Sequence, residues 1–449
     1  MKKNIKRLST THIVLLGFFA IIFAGSLLLW LPISSATGKS VPYIDALFTS
    51  TTATCVTGLV TLPTVTTWSV FGQVIILLLI QIGGLGVITI ATGIMVMLGK
   101  RISIGNRILI QDSFNLNSMS GMVKFIKKVM FGTFVVEGIG ALLYMTVFIP
   151  DFGAKGIWIS VFNSVSAFCN AGIDIISENS LCDYALNPVI NLTTSFLIIS
   201  GGIGFVVWWD LARITKDKKQ RHLKFLTLHS KIALSVTAFL IIAGTVLFFA
   251  FEYNNALTMQ NYTLLEKLET SFFQAVTTRT AGFATIPQEN FTNQSALVSL
   301  MLMFIGGSPV GTAGGIKTVT LLILLLTAAS VIRNKRTVDV FNRQISSKSI
   351  KKAVAVFITS FTVMIVSTIL LSVVSNADFL DIVYETVSAT ATVGLTRNFT
   401  SSLNLVGKII IIATMYFGRV GPISLAVAFG MKKESENIIK NPVEEISVG

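Results

Sequence analysis

Long apolar stretches alternate with short polar ones along the whole chain. Several uncharged runs exceed the roughly 20 residues that cross a hydrocarbon layer, as at 9–38, 70–99 and 290–316. Shorter, mostly apolar segments lie between some of these runs. These segments are 44–54, 157–168, 268–278 and 380–390. They are too short to span a bilayer, so the pattern predicts full-length membrane helices interleaved with half-length helices.

A five-residue phrase with one glycine follows each half-length segment. The four copies are Cys55–Leu59, Cys169–Ile173, Arg279–Phe283 and Ala391–Leu395. Their glycines are 114, 110 and 112 residues apart, and a second glycine cluster follows each phrase by 24 to 29 residues. A single such phrase arises easily by chance, whereas four in register indicate internal repeats. The sequence therefore predicts four tandem units, each with an outer helix, a pore loop and an inner helix.

The predicted units divide the chain into four quarters and a tail. The quarters are residues 1–105, 106–220, 221–340 and 341–430, and the tail is residues 431–449. We expect an all-α membrane protein with eight transmembrane spans and four re-entrant pore helices around a central pore. Re-entrant backbone is tolerated at membrane depth only where it is buried in protein or lines a water-filled cavity.

Composition and charge agree with this organisation. Hydrophobic residues form 52% of the 449 residues and charged residues 12%, about half the charged fraction of a soluble domain. The formal net charge is +14, but Lys and Arg occur in blocks between apolar segments, as cytoplasmic loops require. This distribution predicts that both termini are cytoplasmic, and it argues against nucleic acid as a partner.

The glycine phrases have the chemistry of a cation filter. Rings of backbone carbonyls replace the hydration shell of potassium in channels whose filter begins Thr-Val-Gly, and residues 392–394 have that sequence. Glycine lets successive carbonyls face one axis without the steric cost of a Cβ. The half-length helices would direct partial negative charge at the same axis. The predicted filter residues are Val56, Thr57, Gly58, Asn170, Ala171, Gly172, Thr280, Ala281, Gly282, Thr392, Val393 and Gly394.

Three other interpretations of these patterns were weighed. Ordinary helix C-terminal glycines would explain one phrase but not four in register. An alternating-access cation symporter also has broken helices, although such carriers usually show two-fold repeats. An intramembrane enzyme lacks a catalytic set, because His12, His222 and His229 lie at or near predicted cytoplasmic loops and Glu137 is the only acid deep within a span. We expect a pore, with no catalysis and no bound cofactor.

These motifs resemble the membrane subunit of Ktr-type bacterial potassium-uptake systems, within the Trk/Ktr/HKT superfamily. The similarity covers about residues 10–430 and is carried by Asp45–Thr49, Gln81–Gly86, Thr278–Phe283 and Gly418–Pro422. It implies potassium uptake across the bacterial cell membrane, with stimulation by sodium. It also implies a homodimer with one pore per protomer and a cytosolic ring of nucleotide-binding regulatory subunits. Sodium-selective plant relatives replace the first filter glycine by serine, whereas this chain has Gly58.

The resemblance also implies a gate beneath the filter, formed by a flexible loop in the third inner helix. That loop corresponds to residues 306–315, whose glycines and Pro309 would break a helix on physical grounds alone. The predicted gate residues are Gly306, Gly307, Gly311, Gly314, Gly315 and Arg419. An arginine inside an apolar span is a functional candidate by default. Close helix packing at the glycines and carbonyl capping by Arg419 stay open as alternatives, as do the roles of Glu137, Arg279 and Lys317.

Overall fold

The computed structural model describes residues 10–97, 121–216 and 223–421, which are mostly α-helical. The first quarter contains α1 (Thr10–Trp30), α2 (Tyr43–Cys55), the single-turn α3 (Thr64–Thr67), α4 (Val70–Leu85) and α5 (Val87–Met97). The second contains α6 (Met122–Phe152), α7 (Lys155–Cys169), α8 (Pro188–Gly202) and α9 (Phe205–Lys216). The predicted tail, the quarter boundaries after residues 105 and 220, and His222 lie outside the described residues.

The third and fourth quarters follow the same order of long, half-length and broken or shorter helices. The third contains α10 (Leu228–Glu252), α11 (Leu264–Thr277), α12 (Asn293–Phe304) and α13 (Thr318–Ile332). A small antiparallel hairpin of β1 (Asp339–Val340) and β2 (Arg343–Gln344) follows, with Val340 opposite Arg343. The fourth contains α14 (Ser347–Val374), α15 (Phe379–Ala391) and α16 (Leu405–Val420), and any continuation of the fourth inner helix past Gly421 lies outside the described residues.

Four of these helices, α1, α6, α10 and α14, are long and apolar enough to cross a membrane. The pairs α4–α5 and α8–α9 also qualify if each is counted as one element, bent by 98° and 96°. Large apolar side chains point outward from the long helices, such as Phe19, Phe131 and Phe239, which are 61%, 71% and 68% exposed. Apolar exposure of this extent is typical of a surface that contacts lipid.

The half-length helices α2, α7, α11 and α15 lie within a few residues of the predicted segments and occupy the centre of the molecule. Each buries at least one large aromatic side chain completely. These side chains are Phe48, Phe162, Phe273 and Tyr384, and α7 also buries Phe168. The start of α11 shows why a short helix forms there, because Thr263 and Glu266 make a reciprocal capping box.

The quarters pack on one another in cyclic order. Helix α4 contacts α7, α8 contacts α11, α12 contacts α15, and α16 contacts α2. The last of these contacts joins the two ends of the chain. There Lys408 forms a 2.5 Å ion pair with Asp45, and the hydroxyl of Tyr416 donates to the carbonyl of Leu15 at 2.8 Å. The half-length helices are therefore enclosed by a closed ring of helices.

Candidate functional site

The four predicted filter glycines lie together at the C-terminal ends of the half-length helices. A Cβ added to any of them would meet the carbonyl oxygen of the residue before the glycine in another quarter. These pairs are Gly58 with Ala171, Gly172 with Ala281, Gly282 with Val393, and Gly394 with Thr57. For Gly58 and Gly282 the separation would be 2.5 Å. The pairs follow one cyclic order, so the phrases form a closed ring of glycines and carbonyls with no room for side chains.

Along each phrase, residues with left-handed backbone lie on either side of a residue with negative φ. The residue two before the glycine has a positive φ in every quarter: 55° at Val56, 60° at Asn170, 67° at Thr280 and 52° at Thr392. This left-handed conformation is rare for β-branched residues, so the packing around the phrase must impose it. The filter glycines also have positive φ, between 64° and 99°. In a regular strand successive residues face opposite sides, and alternation of hand turns neighbouring carbonyls toward the same side.

In the first, second and fourth quarters, the half-length helix itself supports the phrase. The N–H groups of Thr57, Ala171 and Val393 donate to the carbonyls of Thr52, Ser166 and Ser388, each at 2.8 Å. These bonds have the spacing of a Schellman helix end. The side-chain hydroxyls of Thr52, Ser166 and Ser388 also accept hydrogen bonds from N–H groups of the phrases. These donors are Gly58 at 3.0 Å, Ile173 at 3.1 Å and Gly394 at 3.0 Å.

The third quarter lacks this support. Helix α11 ends earlier, at Thr277, and the N–H of Ala281 donates to the Thr277 carbonyl at 2.9 Å. Val276 occupies the position of the supporting hydroxyl. Thr280 instead accepts a 3.0 Å hydrogen bond from the N–H of Gly314, which belongs to the predicted gate loop. The hydroxyl of Thr277 also donates to the Phe283 carbonyl at 2.6 Å. The third phrase is therefore held jointly by the end of α11 and by the loop.

The second glycine clusters also distinguish the third quarter from the other three. At Gly83, Gly201 and Gly418 a Cβ would collide with the carbonyl oxygens of Thr54, Phe168 and Thr390, so these helices touch their own half-length helix directly. Three residues later, Gly86, Gly204 and Gly421 have φ of 84°, 95° and 90°. In the third quarter a Cβ on Gly306 would collide with the carbonyl of Gly314. There the loop packs between the two helices.

Residues 305–317 form that loop, which separates α12 from α13. Its ends meet in a bridge between Ile305 and Ile316. Its middle is hydrogen-bonded to the bend between α8 and α9. The bonds run from Ser308 N to Gly202 O at 2.8 Å, from Thr312 N to Gly201 O at 3.1 Å, and from Phe205 N to Val310 O at 2.9 Å. Gly307 and Gly311 allow this approach, because a Cβ on either would lie 2.8 Å from a carbonyl oxygen of the bend.

Two cationic side chains hold the carbonyls of the loop. Arg419 donates from Nη1 to Thr312 O at 2.6 Å and from Nη2 to Gly83 O at 2.5 Å, with Gly84 O at 3.3 Å. Lys317 Nζ donates to Ala313 O at 2.5 Å. No carboxylate of the described residues forms a salt bridge with Arg419. Arg419 therefore caps carbonyls, and through them it joins α16, the loop and the end of α4.

The two other charged residues left open by the sequence lie outside the ring. Arg279 is buried behind the third phrase, and its Nη2 donates to Thr237 Oγ1 at 3.3 Å. Glu137 of α6 accepts a 3.3 Å hydrogen bond from Gln81 of α4. Glu137 thus joins α6 to α4, and Arg279 joins the third phrase to α10.

A cavity of about 390 Å³ opens on the face of the ring away from the loop. All four filter glycines line it, together with the acidic residues Asp174, Glu178 and Glu289. Asp174 comes two residues after Gly172, where the other phrases have Val60, Ala284 and Thr396. Removal from bulk water raises the pKa of Asp174 to about 6, although hydrogen bonds from Ser180, Ile176 and Ser177 oppose that rise.

Sequence reasoning missed several residues that build this site. The hydroxyls of Thr52, Ser166 and Ser388 lie six positions before a filter glycine, so alignment of the four quarters could have revealed them. Thr312 could not be found that way, because the loop has no counterpart in the other quarters.

Comparison with known proteins gives consistent results. The family model described as a cation transport protein, TrkH, matches residues 5–441. The chain is 41% identical to the potassium/sodium uptake protein NtpJ of Enterococcus hirae, over 100% of this chain and 99% of that protein. It is 38% identical to the Ktr system potassium uptake protein B of Bacillus subtilis, over 99% and 97% of the two chains. The crystal structure of the potassium transporter TrkH from Vibrio parahaemolyticus covers 95% of this chain and 86% of its own, at a TM-score of 0.75 and 18% identity, and so shares its fold.

Proposed function

This chain belongs to the TrkH family of cation transport proteins, and we propose that it is the membrane subunit of a Ktr-type system that takes up potassium. The members of this family are ion transporters, so the chain is not an enzyme, as the sequence predicted. The names of its relatives support potassium as a cargo, since NtpJ is a potassium/sodium uptake protein and the Bacillus subtilis protein is a potassium uptake protein.

The closed ring of glycines and carbonyls is the observation that carries the proposal. Four phrases in cyclic order offer uncharged oxygen ligands on one axis, and such ligands suit a dehydrated monovalent cation. The C-terminal ends of α2, α7 and α15 meet the same ring and add partial negative charge. In this arrangement the filter comprises the three residues that end in each of Gly58, Gly172, Gly282 and Gly394. The four half-length helices are re-entrant, and the remaining helices make eight spans.

The gate in this proposal is the loop on the other face of the ring. Gly306, Gly307, Gly311, Gly314 and Gly315 give the loop its close backbone contacts, and Arg419 holds its Thr312 carbonyl. Movement of the loop away from α4 and α8 would open the path below the ring. The fixed ring is the reason to favour a pore over an alternating-access symporter, although the bends in α4–α5 and α8–α9 also occur in carriers.

The remaining parts of the proposal concern assembly and placement. The Ktr system names of several relatives support a separate regulatory subunit. We propose that this partner is a cytosolic nucleotide-binding ring, that two copies of this chain form a dimer with one pore each, and that sodium stimulates uptake. The chain would lie in the bacterial cell membrane with both termini in the cytoplasm.

The test is potassium and sodium flux through the reconstituted chain, with Gly58→Ser as the critical variant. Gly58 has φ of 98° and contacts the Ala171 carbonyl, so a serine Cβ must displace a filter oxygen. Gly38→Ser is a matched control, because Gly38 also has a positive φ but no atom within 4 Å of an added Cβ. We expect Gly58→Ser to lower the potassium-to-sodium flux ratio and Gly38→Ser to leave it unchanged. Equal ratios in all three proteins would contradict the filter.

A further inference from the structure

Thr312 lies where the loop meets the second phrase of the ring. Its hydroxyl is fully buried and lies 2.9 Å from Asn170 Oδ1 and 3.1 Å from the carbonyl oxygen of Phe168. Its single proton serves two acceptors at the end of α7. Asn170 is the non-glycine residue of the second phrase with left-handed backbone, and Phe168 lies in the last turn of α7 before it. The side chain of Thr312 therefore touches the residue that gives the second phrase its left-handed backbone.

The backbone of the same residue is also engaged on both sides. Its N–H donates to Gly201 of α8 at 3.1 Å, and its carbonyl accepts from Arg419 of α16 at 2.6 Å. Two positions later, Gly314 donates to Thr280 of the third phrase at 3.0 Å. A Cβ on Gly314 would also collide with Thr392 of the fourth phrase. Residues 312–314 thus contact the left-handed residue of three phrases out of four.

We propose that Thr312 is a positioning residue for ion selection, and that the loop forms the floor of the filter in addition to its role as gate. This inference rests on the proposed function, since it assumes that the ring selects a cation. The Thr312 hydroxyl holds Asn170 and the Phe168 carbonyl in the arrangement that fits the preferred ion. When the loop leaves, the second phrase loses the hydrogen bonds of Thr312 and the third loses the bond from Gly314, while the bonds to their own half-length helices stay. The ion preference of the ring therefore differs between the two loop positions.

Linkage makes this coupling reciprocal. If the loop position alters the affinity of the ring for an ion, then that ion alters the loop equilibrium by the same factor. Potassium in the ring would favour the loop position seen here, whereas a poorly fitting ion would release it. A regulator that moves the loop would then adjust selectivity along with conduction.

Ion-dependent thermal stabilisation of the purified full-length chain tests this proposal without requiring an open path. A ligand that binds only the native state stabilises it by an amount that rises with the logarithm of the ligand concentration above Kd, and Tm rises with it. Titration with potassium chloride and with sodium chloride therefore gives an apparent Kd for each ion. Thr312→Val keeps the shape of the side chain and removes the hydroxyl. Thr318→Val is the matched control, because Thr318 also shares a loop hydrogen bond, at 3.0 Å with Ser308, but has none to a phrase.

We expect Thr312→Val to lower the preference for potassium over sodium roughly fivefold, the factor that one net hydrogen bond represents. Thr312→Ser should restore it, and Thr318→Val should keep the wild-type preference even if its Tm in the absence of salt falls. Thr312→Val with a wild-type preference, or Thr318→Val with an equal loss, would overturn the proposal while the filter stands. A wild type that potassium stabilises no more than sodium would contradict the proposed function itself.

Discussion

The first, second and fourth quarters hold their glycine phrases in a different way from the third. In those three, the half-length helix supplies both the carbonyl and the hydroxyl that bind the phrase, and the next helix touches its end directly through a glycine. In the third, α11 stops short, Thr277 still binds the phrase, and the loop adds the bond from Gly314 to Thr280. The same structural unit therefore depends on the loop to different degrees in different quarters. The difference teaches that most of the support of a ring can lie within its own helices while part of it comes from a separate segment.

Disturbing the direct contact between α4 and α2 in the first quarter should have the largest effect on stability. Gly83→Ala would drive a Cβ into the carbonyl of Thr54, and both belong to packed helices that cannot move apart cheaply. We expect a loss of about 3 kcal/mol, the upper range for overpacking, measured as a lower Tm and a smaller monodisperse fraction. Gly138→Ala is the control, because that glycine faces open space on α6. Equal Tm values for the two variants would remove the rigid contact from the comparison.

The ion pair between the first and fourth quarters tests a contact that does not involve the loop. Lys408→Met leaves the largely buried carboxylate of Asp45 without its cation, which should cost about 2 kcal/mol of stability. Thermal unfolding measures the loss. The double variant Lys408→Met/Asp45→Asn should recover part of it, because no unpaired charge remains. Flux selectivity should not change in either variant, and a change would show that the closure also shapes the ring.

Gly306→Ala tests the third quarter, where the loop packs against α12. Here the added Cβ meets the carbonyl of Gly314 in the loop, which moves in the gate that we propose. A penalty of about 1 kcal/mol on the loop position seen here would raise potassium flux through the isolated chain roughly fivefold. Reconstituted vesicles with equal protein content provide the measurement. Lower flux with a lower Tm, as expected for Gly83→Ala, would mean that the third quarter is as rigid as the others.

The cavity on the opposite face of the ring is not lined by the loop, so we expect the smallest effect there. The pKa of Asp174 is raised to about 6 by its removal from water, so its carboxylate is charged above that pH and neutral below it. Because a charged wall concentrates cations, potassium uptake should fall about twofold as the pH on the cavity side drops through 6. Glu178, Glu289 and Cys182 also line the cavity.

Asp174→Asn should remove this pH step and lower uptake at limiting potassium. Asp183→Asn, at a carboxyl that does not line the cavity, should leave the step intact. Initial rates between pH 5 and pH 8 distinguish these outcomes. An unchanged step in Asp174→Asn would assign the titration to another group.

Much of this architecture follows from regularities along the chain. The half-length helices were predicted within a few residues, because each combines an apolar face with a glycine at its end. Intervals of 110 to 114 residues identified the four glycines as equivalent positions. The chemistry of carbonyl rings then predicted that they lie together. What repeats along the chain is predictable because each copy supports the interpretation of the others.

Features that depend on packing were not predictable, even where they repeat. The left-handed backbone of Val56 runs against the preference of a β-branched residue and is imposed by packing against Gly83. The contact between Thr312 and Asn170 joins positions 142 residues apart and depends on the path of a loop found in one quarter only. Arg419 was singled out by its place in an apolar helix, but its acceptors in α4 and the loop depend on how the quarters pack.

The bond between Lys408 and Asp45 has a consequence for the making of the protein. Its partners are 363 positions apart, and Lys408 belongs to the last helix described. A ribosome must therefore produce nearly the whole chain before the first half-length helix acquires its lateral neighbour. Until then the emerging segments have an open flank in the bilayer, and the ring of glycine phrases stays incomplete.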